Sequence, residues 1–527
     1  MENNEKRSII AILITVLLIA GYTYFFNPYG DTSKNKTAPA VKNSTVQLKE
    51  SHKQKILKGV NAVNIHNKQL KSAYNKKKQL ITVETDEYTA HISNLDGSLE
   101  SLMLKKYVFH KHRVELINSQ GNYHTLESVF QSKDVENLEQ SHIYHANNGN
   151  IKIDKKHPSG TLILTKTDGN IKIVKKYTFK NNSYAMNLSI NVYRDGKKVN
   201  EIFSLYAGPN LGDLEAGRYS HLGAVALVKN KIKKDEKIPQ DSGDINWIAL
   251  ESKYFCFAFL PYNKNSIIAG STNADKDHYI YANFVTPSTV TIFGGPKSKP
   301  IMHSVDHHLS RIIRFGMFGF IGKPLLYVLN MLYSILGNYG LAIIVLTFFI
   351  RLLFYPLSFK SFKSMKEMSK LQPKLKELKN RYKGKPDQLN KATMELYKQH
   401  KVNPFGGCLP VIIQIPVFFA LYNVLLNAIE LRGAPFYFWI VDLSAKDPYY
   451  ILPIIMGATM YLQQKLTPTT MDPSQAKIMA FLPLIFTVMF LNFPSGLVIY
   501  WATNNILTII QQVFIDSKIL KAKEKNA

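Results

Sequence analysis

Two different hydrophobic rhythms divide this chain. Between Leu80 and Val305 apolar and polar residues alternate in short runs: TLILTK, IKIVKKYTF and AMNLSINVY are separated by TDGN and KNNSY, and a later pair, HYIYANF and STVTIF, is expected to repeat this strand–turn–strand pattern. A period of two puts successive side chains on opposite faces of a strand, and the Asp, Asn and Gly between runs supply turns. A region of this size predicts one large antiparallel β-sandwich over residues 80–310. After residue 320 the rhythm changes to long apolar runs: Leu341–Phe359, Leu409–Ala428, Tyr449–Leu466, Ile478–Phe493 and Ser495–Phe514, with one more ahead of the sandwich at Ile9–Phe26. These are candidate helices for crossing a hydrocarbon core about 30 Å thick. Some are short, and Pro410, Pro416, Pro453 and Pro483 fall inside them, which predicts kinked helices in a locally thinned bilayer.

The first run follows Lys6-Arg7 as a signal sequence would, but it ends in TYFFNPYG without a small-x-small cleavage site. It is expected to stay as an uncleaved anchor, residues 1–30. Residues 31–80 contain 12 Lys and few large apolar side chains, so 31–79 predicts a solvated tether. A further segment, Phe315–Leu336, is apolar enough to span but is interrupted by Gly316, Gly319, Gly322, Lys323 and Pro324. Charge resolves its role. Residues 360–401 hold 13 Lys/Arg against 4 Asp/Glu, whereas 430–448 hold 2 against 3. Basic loops stay in the cytoplasm, so 360–401 faces inward and the segment before it does not cross. Pro324–Leu336 is therefore expected to lie on the outer surface as an amphipathic helix within 311–340. The fold class that follows is a polytopic α-helical membrane protein with six transmembrane helices, both termini in the cytoplasm, and the all-β sandwich outside. Residues 341–527 form the five-helix core.

Within the inward loop, Met365, Met368, Leu371, Leu375, Leu378 and Tyr382 recur every three or four residues and mark one helix face. Gly384-Lys-Pro386 ends that helix, and Asp387 is expected to cap a second one carrying Leu389, Ala392, Leu396 and Tyr397. The pair predicts a cytoplasmic helical hairpin over 360–401.

Arg351 breaks the apolar logic. It is eleventh in LAIIVLTFFIRLLFYPLSF, and a cation at that depth costs about 3 kcal/mol or more. None of the other apolar runs carries an Asp or Glu to pair with it. They offer neutral polar groups instead: Gln414, Asn423, Asn427, Thr503, Asn504, Asn505 and Thr508. An uncompensated positive charge in a polar pocket is the feature a function must explain.

The 527 residues leave room for two or three domains, and the formal charge of +28 raises nucleic acid as a partner. The basic residues are mostly scattered Lys with no zinc-finger or RNA-binding signature, so a basic membrane-flanking surface explains them and sequence-specific nucleic-acid binding is not expected. Cys256 and Cys408 fall on opposite sides of the membrane in this topology, so no disulfide joins them. No G-x-S-x-G, phosphate loop or ATP site is visible, and no enzymatic activity or cofactor is expected. His303, Asp306, His307 and His308 read as solvated polar residues rather than a metal site.

Taken in order, several stretches resemble the YidC/Oxa family of membrane protein insertases, in its Gram-negative type with a large periplasmic domain. They are Thr347 and Arg351 followed by YPL, LQPK in the hairpin, KVNPFGGCLPVIIQIPVF, LRGAPF, WIVDLSAKDPYYILPIIMG, and FPSGLVIYW with NN and IIQQ. The resemblance implies a hydrophilic groove open to the cytoplasm and the lipid, closed on its outer side. Arg351 would sit in it with Thr347, Gln414 and Asn504, and Tyr500-Trp501 would add aromatic contacts. Relatives often carry Tyr at both aromatic positions, so Trp501 is a departure that loses a hydroxyl acceptor. The implied substrates are nascent membrane proteins, moved into the inner membrane alone or beside the Sec translocon. A ribosome, the signal recognition particle with its receptor, and the phospholipid bilayer are the other implied partners. The tail KILKAKEKNA is short for ribosome binding. Two readings compete with insertion: a scaffold for translocation complexes, and a secondary transporter. The transporter is disfavoured because the spans lack carboxylates and no inverted repeat is evident.

Overall fold

The structure, a computed structural model, describes residues 78–524 apart from short breaks at 110–111, 119–122, 213–220, 236–237, 239–244, 262–267, 275–276, 401, 403–408 and 468–472. The expected anchor and nearly all of the tether lie outside the described residues. The chain divides into two compact units, with the boundary between Ile313 and Arg314.

The first unit is β-rich. Strands Ser159–Asp168, Ile171–Lys180 and Ala185–Arg194 pair in sequence as an antiparallel meander, as their alternation predicts. Leu162, Leu164, Ile173, Tyr177, Phe179, Leu188 and Ile190 fill one face of it and are essentially inaccessible. Burial of each such side chain contributes roughly 1.5–3 kcal/mol. The meander belongs to a ten-stranded sheet, accompanied by sheets of five and four strands.

Two expectations fail here. One pairing is parallel: Leu80–Glu84 lies beside Asn150–Lys152, which the long intervening chain makes sterically accessible. The runs HYIYANF and STVTIF also belong to different sheets. Asp277–Val285 pairs with Ile202–Ala207 in the four-stranded sheet, while Ser288–Pro296 runs between Ala185–Arg194 and Phe255–Pro261 in the ten-stranded one. Buried Thr286 pins the crossover. Its amide donates to the Glu201 carbonyl and its hydroxyl to the Val199 carbonyl, both at 2.8 Å. Among the described residues two α-helices complete the unit, α1 (Lys133–Ser141) and α2 (Lys299–Val305).

The second unit is helical: α3 (Gly319–Leu336), α4 (Tyr339–Leu353), α5 (Tyr355–Lys370), α6 (Gln372–Arg381), α7 (Pro386–Gln399), α8 (Leu409–Asn427), α9 (Ile451–Leu466), α10 (Pro473–Phe490) and α11 (Ser495–Glu524). Gly337 ends α3 in the left-handed conformation (φ 65°), and the Asn338 side chain starts α4 by accepting from the Leu341 amide at 3.1 Å. The apolar run 341–359 is not one helix. It breaks at Phe354 and α5 leaves at 63° to α4. Pro356 explains the break, because its ring excludes the carbonyl four residues earlier and tolerates only the first turn of a helix.

The basic segment forms the expected helices with two adjustments. Pro373 splits the first into α5 and α6 at Leu371, and Asp387 does not cap α7. Lys385 holds the cap position and Asp387 sits in the first turn, where its carboxylate still faces the positive end of the helix. Met368, Leu371, Leu396 and Val402 form a small core with Leu375, Leu378 and Tyr397 packed against it.

Boundaries of the later helices differ from the apolar runs. The helix α10 starts five residues before Ile478 and ends three before Phe493, while α11 continues ten residues beyond Phe514. Apolarity tracks the lipid, whereas a helix continues wherever its backbone can bond. By length and composition two described helices suffice to cross a membrane, Gly319–Leu336 and Ser495–Ser517, or three if α4 and α5 form one bent span. The segment expected to lie on the surface is thus itself long enough to cross.

The loop between α8 and α9 is tied down by Asp447, which is almost fully buried. Its carboxylate accepts from Trp439 Nε1 at 2.9 Å, the Tyr449 amide at 3.0 Å and the Leu452 amide at 2.7 Å, so it also caps α9.

Candidate functional site

Arg351 stands in the last turn of α4, where unpaired carbonyls favour a cation. Its guanidinium reaches across to α11. Nε donates to Asn504 Oδ1 at 2.8 Å, and Nη2 donates to the Thr508 hydroxyl and, at 3.4 Å, to the Asn504 carbonyl. Thr508 in turn donates to that same carbonyl at 2.6 Å. Among the described residues no carboxylate pairs with Arg351. Its positive charge is solvated by neutral groups and keeps its long-range field.

A cleft opens beside it, lined by Ile350, Arg351, Phe354, Leu357, Ser358, Gln414, Val417, Tyr500 and Asn504. These residues come from α4, α5, α8 and α11, so the bend at Phe354 is what brings α5 to the site. Tyr500 and Gln414 face the same cleft from α11 and α8. Free space in the cleft is about 20 Å³, room for a single water.

Four of the six expected residues, Arg351, Gln414, Tyr500 and Asn504, meet here. The other two do not line the cleft. Thr347 is buried and donates its hydroxyl to the Ile343 carbonyl of its own helix at 2.6 Å. Trp501 turns away into a cluster with Phe418, Phe486 and Phe490, at 4.7, 5.9 and 5.2 Å between ring centres. Other polar candidates are spent elsewhere. Asn423 and Asn427 donate to carbonyls one turn back on α8, and Asn505 faces Met456 and Thr459 of α9. Thr508 is the partner that spacing could have promoted, since it follows Asn504 by one turn on the same face. Ser358 carries no such signal, because its place depends on the bend.

In the β-rich unit, Asp96, His124 and Glu127 bring ligand atoms within 4.8 Å of one another. The set reads as an ion pair. His124 Nδ1 lies 3.0 Å from Asp96 Oδ2, and Glu127 accepts from the His124 amide. The hydrogen bond to Asp96 raises the His124 pKa against the opposing effect of burial. Burial pushes the Asp96 carboxyl up, but the His124 bond and charge prevail and hold it well below the usual range. The bond to Asp96 favours the protonated imidazole over the neutral form that a metal would need. His303 is half-buried and His307 exposed, with Nδ1 atoms 3.3 Å apart, and no described cluster of potential ligands includes them.

The sign of the linkage is set by both partners. A raised histidine pKa stabilises fully below about 6.5 and the gain is lost as pH rises through the folded value. A depressed aspartate pKa stabilises above about 3.9 and the gain is lost as pH falls through the folded value. The pair is therefore most effective between about pH 4 and 6.5. Thermal unfolding of the His124→Gln chain in detergent is expected to show a larger loss at pH 5.5 than at pH 9. Equal losses would exclude the ion pair.

Residues 80–328 match the family described as YidC periplasmic domain, and residues 331–523 match the 60Kd inner membrane protein family. The chain is 40% identical to a membrane protein insertase YidC of Citrifermentans bemidjiense, over 98% of this chain and 99% of that one. It is 35% identical to a membrane protein insertase YidC of Campylobacter jejuni, over 99% and 97%. A crystal structure of an active YidC insertase with its first transmembrane domain resolved shares 18% identity, covers 83% of this chain and 94% of that one, and superposes with a TM-score of 0.38. At 40% identity over nearly the whole length of both chains, this chain belongs to the YidC family, inner-membrane proteins with a periplasmic domain that insert other membrane proteins.

Proposed function

We propose that this insertase moves the polar flank of a nascent membrane protein through the cleft beside Arg351 while the substrate's apolar segment leaves sideways into lipid. The observation that carries this reading is a positive charge held between α4 and α11, among the described residues, by neutral groups alone. A flank entering hydrocarbon loses its hydrogen bonds to water, at several kcal/mol per polar group. Gln414, Tyr500 and Asn504 replace some of them part-way across, and Arg351 attracts an acidic flank. Burial of the apolar segment supplies the driving force, at about 25 cal/mol per Å², aided by the membrane potential.

The topology we infer has six spans. They are the segment Ile9–Phe26, then α4 with the start of α5, α8, α9, α10 and α11, with both termini in the cytoplasm. The helices α5–α7 are the cytoplasmic hairpin, and their excess of Lys agrees with that side. The helix α3 lies at the outer interface, a placement supported by the exposed Phe320, Tyr327 and Ile335. Glycines and a proline near its start also suit an interfacial helix better than a straight span. The Sec translocon, the ribosome and the signal recognition particle with its receptor are the proposed partners. The hairpin is their docking surface.

A photo-crosslinking residue at Gln414 tests the reading, because Gln414 lines the cleft while Trp501 packs among phenylalanines. Ribosomes carrying stalled chains of increasing length, with an acidic flank ahead of an apolar segment, are the substrate. Adducts are expected at intermediate lengths only. A folded protein that gives no adduct at any length overturns the route.

A further inference from the structure

Tyr500, Asn504, Thr508, Gln511 and Ile515 succeed one another on α11 at intervals of four, four, three and four residues, so they share one helix face. Tyr500 and Asn504 line the cleft, Thr508 holds Arg351, and Ile515 is buried and apolar. Gln511 is the member without an assigned task. It is 9% exposed, and among the described residues neither Oε1 nor Nε2 has a hydrogen-bond partner. Its neighbour Gln512 behaves conventionally. It donates to the Leu466 carbonyl at 2.5 Å and accepts from the Thr467 hydroxyl at 3.3 Å. A buried carboxamide without partners costs stability that an apolar side chain of the same length would not. Its persistence at this place on the strip points to a transient partner.

We propose that Gln511 is a hydrogen-bonding station for the peptide backbone of the translocating flank, next to Arg351 on the side of the α11 C-terminus. The proposal rests on the insertase reading above. A carboxamide carries a carbonyl acceptor and N–H donors, the same groups an extended peptide presents along its edge. It can therefore bond any sequence, which suits an insertase whose substrates differ in side chains but not in backbone. From Asn504 to Gln511 the helix rises about 10 Å, the length of roughly three extended residues. A flank bonded at Gln511 would reach Arg351 within that span. Arg351, Asn504 and Thr508 already bond one another, so Gln511 is the polar group of this strip with both donors and acceptor to offer.

The test uses the full chain in liposomes and a single-spanning substrate with a neutral polar flank, so that attraction to Arg351 does not mask the effect. Gln511→Met keeps length and removes the amide. Insertion, read as protease protection of the flank, is expected to fall roughly fivefold, the worth of one hydrogen bond. The thermal midpoint is expected to stay level or rise, because the unpaired amide is gone. A merely structural amide would give the opposite pair of results, with the midpoint lowered along with insertion, and that outcome overturns the proposal. Unchanged insertion overturns it too. Gln511→Asn, which keeps the carboxamide, should restore part of the activity. A photo-crosslinker at 511 should capture the stalled chain, and capture of lipid alone would also defeat the idea. If the unmodified protein fails to protect any substrate, it is the insertase reading that falls, and the comparison between variants shows which has failed.

Discussion

Charge reversal at Arg351 is expected to lower insertion of acidic-flanked substrates at least tenfold. Opposite charges about 4 Å apart attract by about 4 kcal/mol at an effective dielectric of 20. Arg351→Glu turns that attraction into repulsion, and even a third of the swing corresponds to tenfold or more. The site magnifies the effect, because Asn504 and Thr508 are neutral and do not screen the guanidinium. Substrates with neutral flanks should lose much less. Arg351→Lys keeps the charge but loses the planar fork that grips both partners, so an intermediate activity is expected. Protease protection of paired substrates, differing only in flank charge, measures all three. Full insertion of the acidic substrate by a folded Arg351→Glu chain would end the charge argument. The fold control matters, since the reversed side chain would face Asn504 Oδ1 and the Asn504 carbonyl, both acceptors.

Much of this arrangement was legible in the sequence because both rhythms are strong. The meander from Ser159 to Arg194 follows from alternation and Asx/Gly turns, and α8 and α9 lie within two residues of their apolar runs at both ends, as do the starts of α4 and α11. What escaped depends on contacts between distant segments. The break at Phe354 had a visible agent in Pro356, yet apolarity continues across it, and the run reads as one span. That break decides which α5 side chains reach the cleft, so Ser358 could not be placed. Asn504 and Asn505 are adjacent and chemically alike, but helix rotation sends one to Arg351 and the other to α9. Thr347 shares a face with Arg351, but its hydroxyl bonds its own helix. Strand pairing across sheets, as at Thr286, leaves no local trace at all.

The interior of the β-rich unit supplies the largest expected change in stability. Alternation places Lys166 and Lys175 on the buried side of their strands, in register with Leu162, Leu164, Ile173 and Tyr177, and both side chains are inaccessible to solvent. Two buried ammonium groups demand a counter-charge, and the α1 helix delivers it. Glu139 lies 2.7 Å from Lys175 Nζ and 3.5 Å from Lys166 Nζ. It also accepts from the Tyr144 hydroxyl at 2.6 Å and the Ser128 hydroxyl at 3.2 Å. The Tyr144 ring sits 4.4 and 5.0 Å from the two ammonium groups, and the carbonyls of Glu139 and Asp96 accept from Lys166 and Lys175 respectively. Glu139→Gln keeps the shape and removes the charge, leaving two cations facing each other. Breaking a buried pair in this way costs about 3–5 kcal/mol, a large part of the 5–15 kcal/mol typical of a domain. Burial already pushes the Lys166 ammonium down, and Glu139 opposes it. In the variant the penalty should be full at neutral pH and ease as pH rises through the folded lysine pKa toward 10.5, because the unfolded chain then binds more protons than the folded one. Lys166→Met should cost far less, since Lys175 and Glu139 remain paired, and Glu139→Gln combined with Lys175→Met should recover part of the loss. Denaturant unfolding followed by the fluorescence of Trp247, buried in this unit, reports each variant. If Glu139→Gln unfolds at the same denaturant concentration as the unmodified chain, the lysines are not charged in the folded state and the network is held by hydrogen bonds alone.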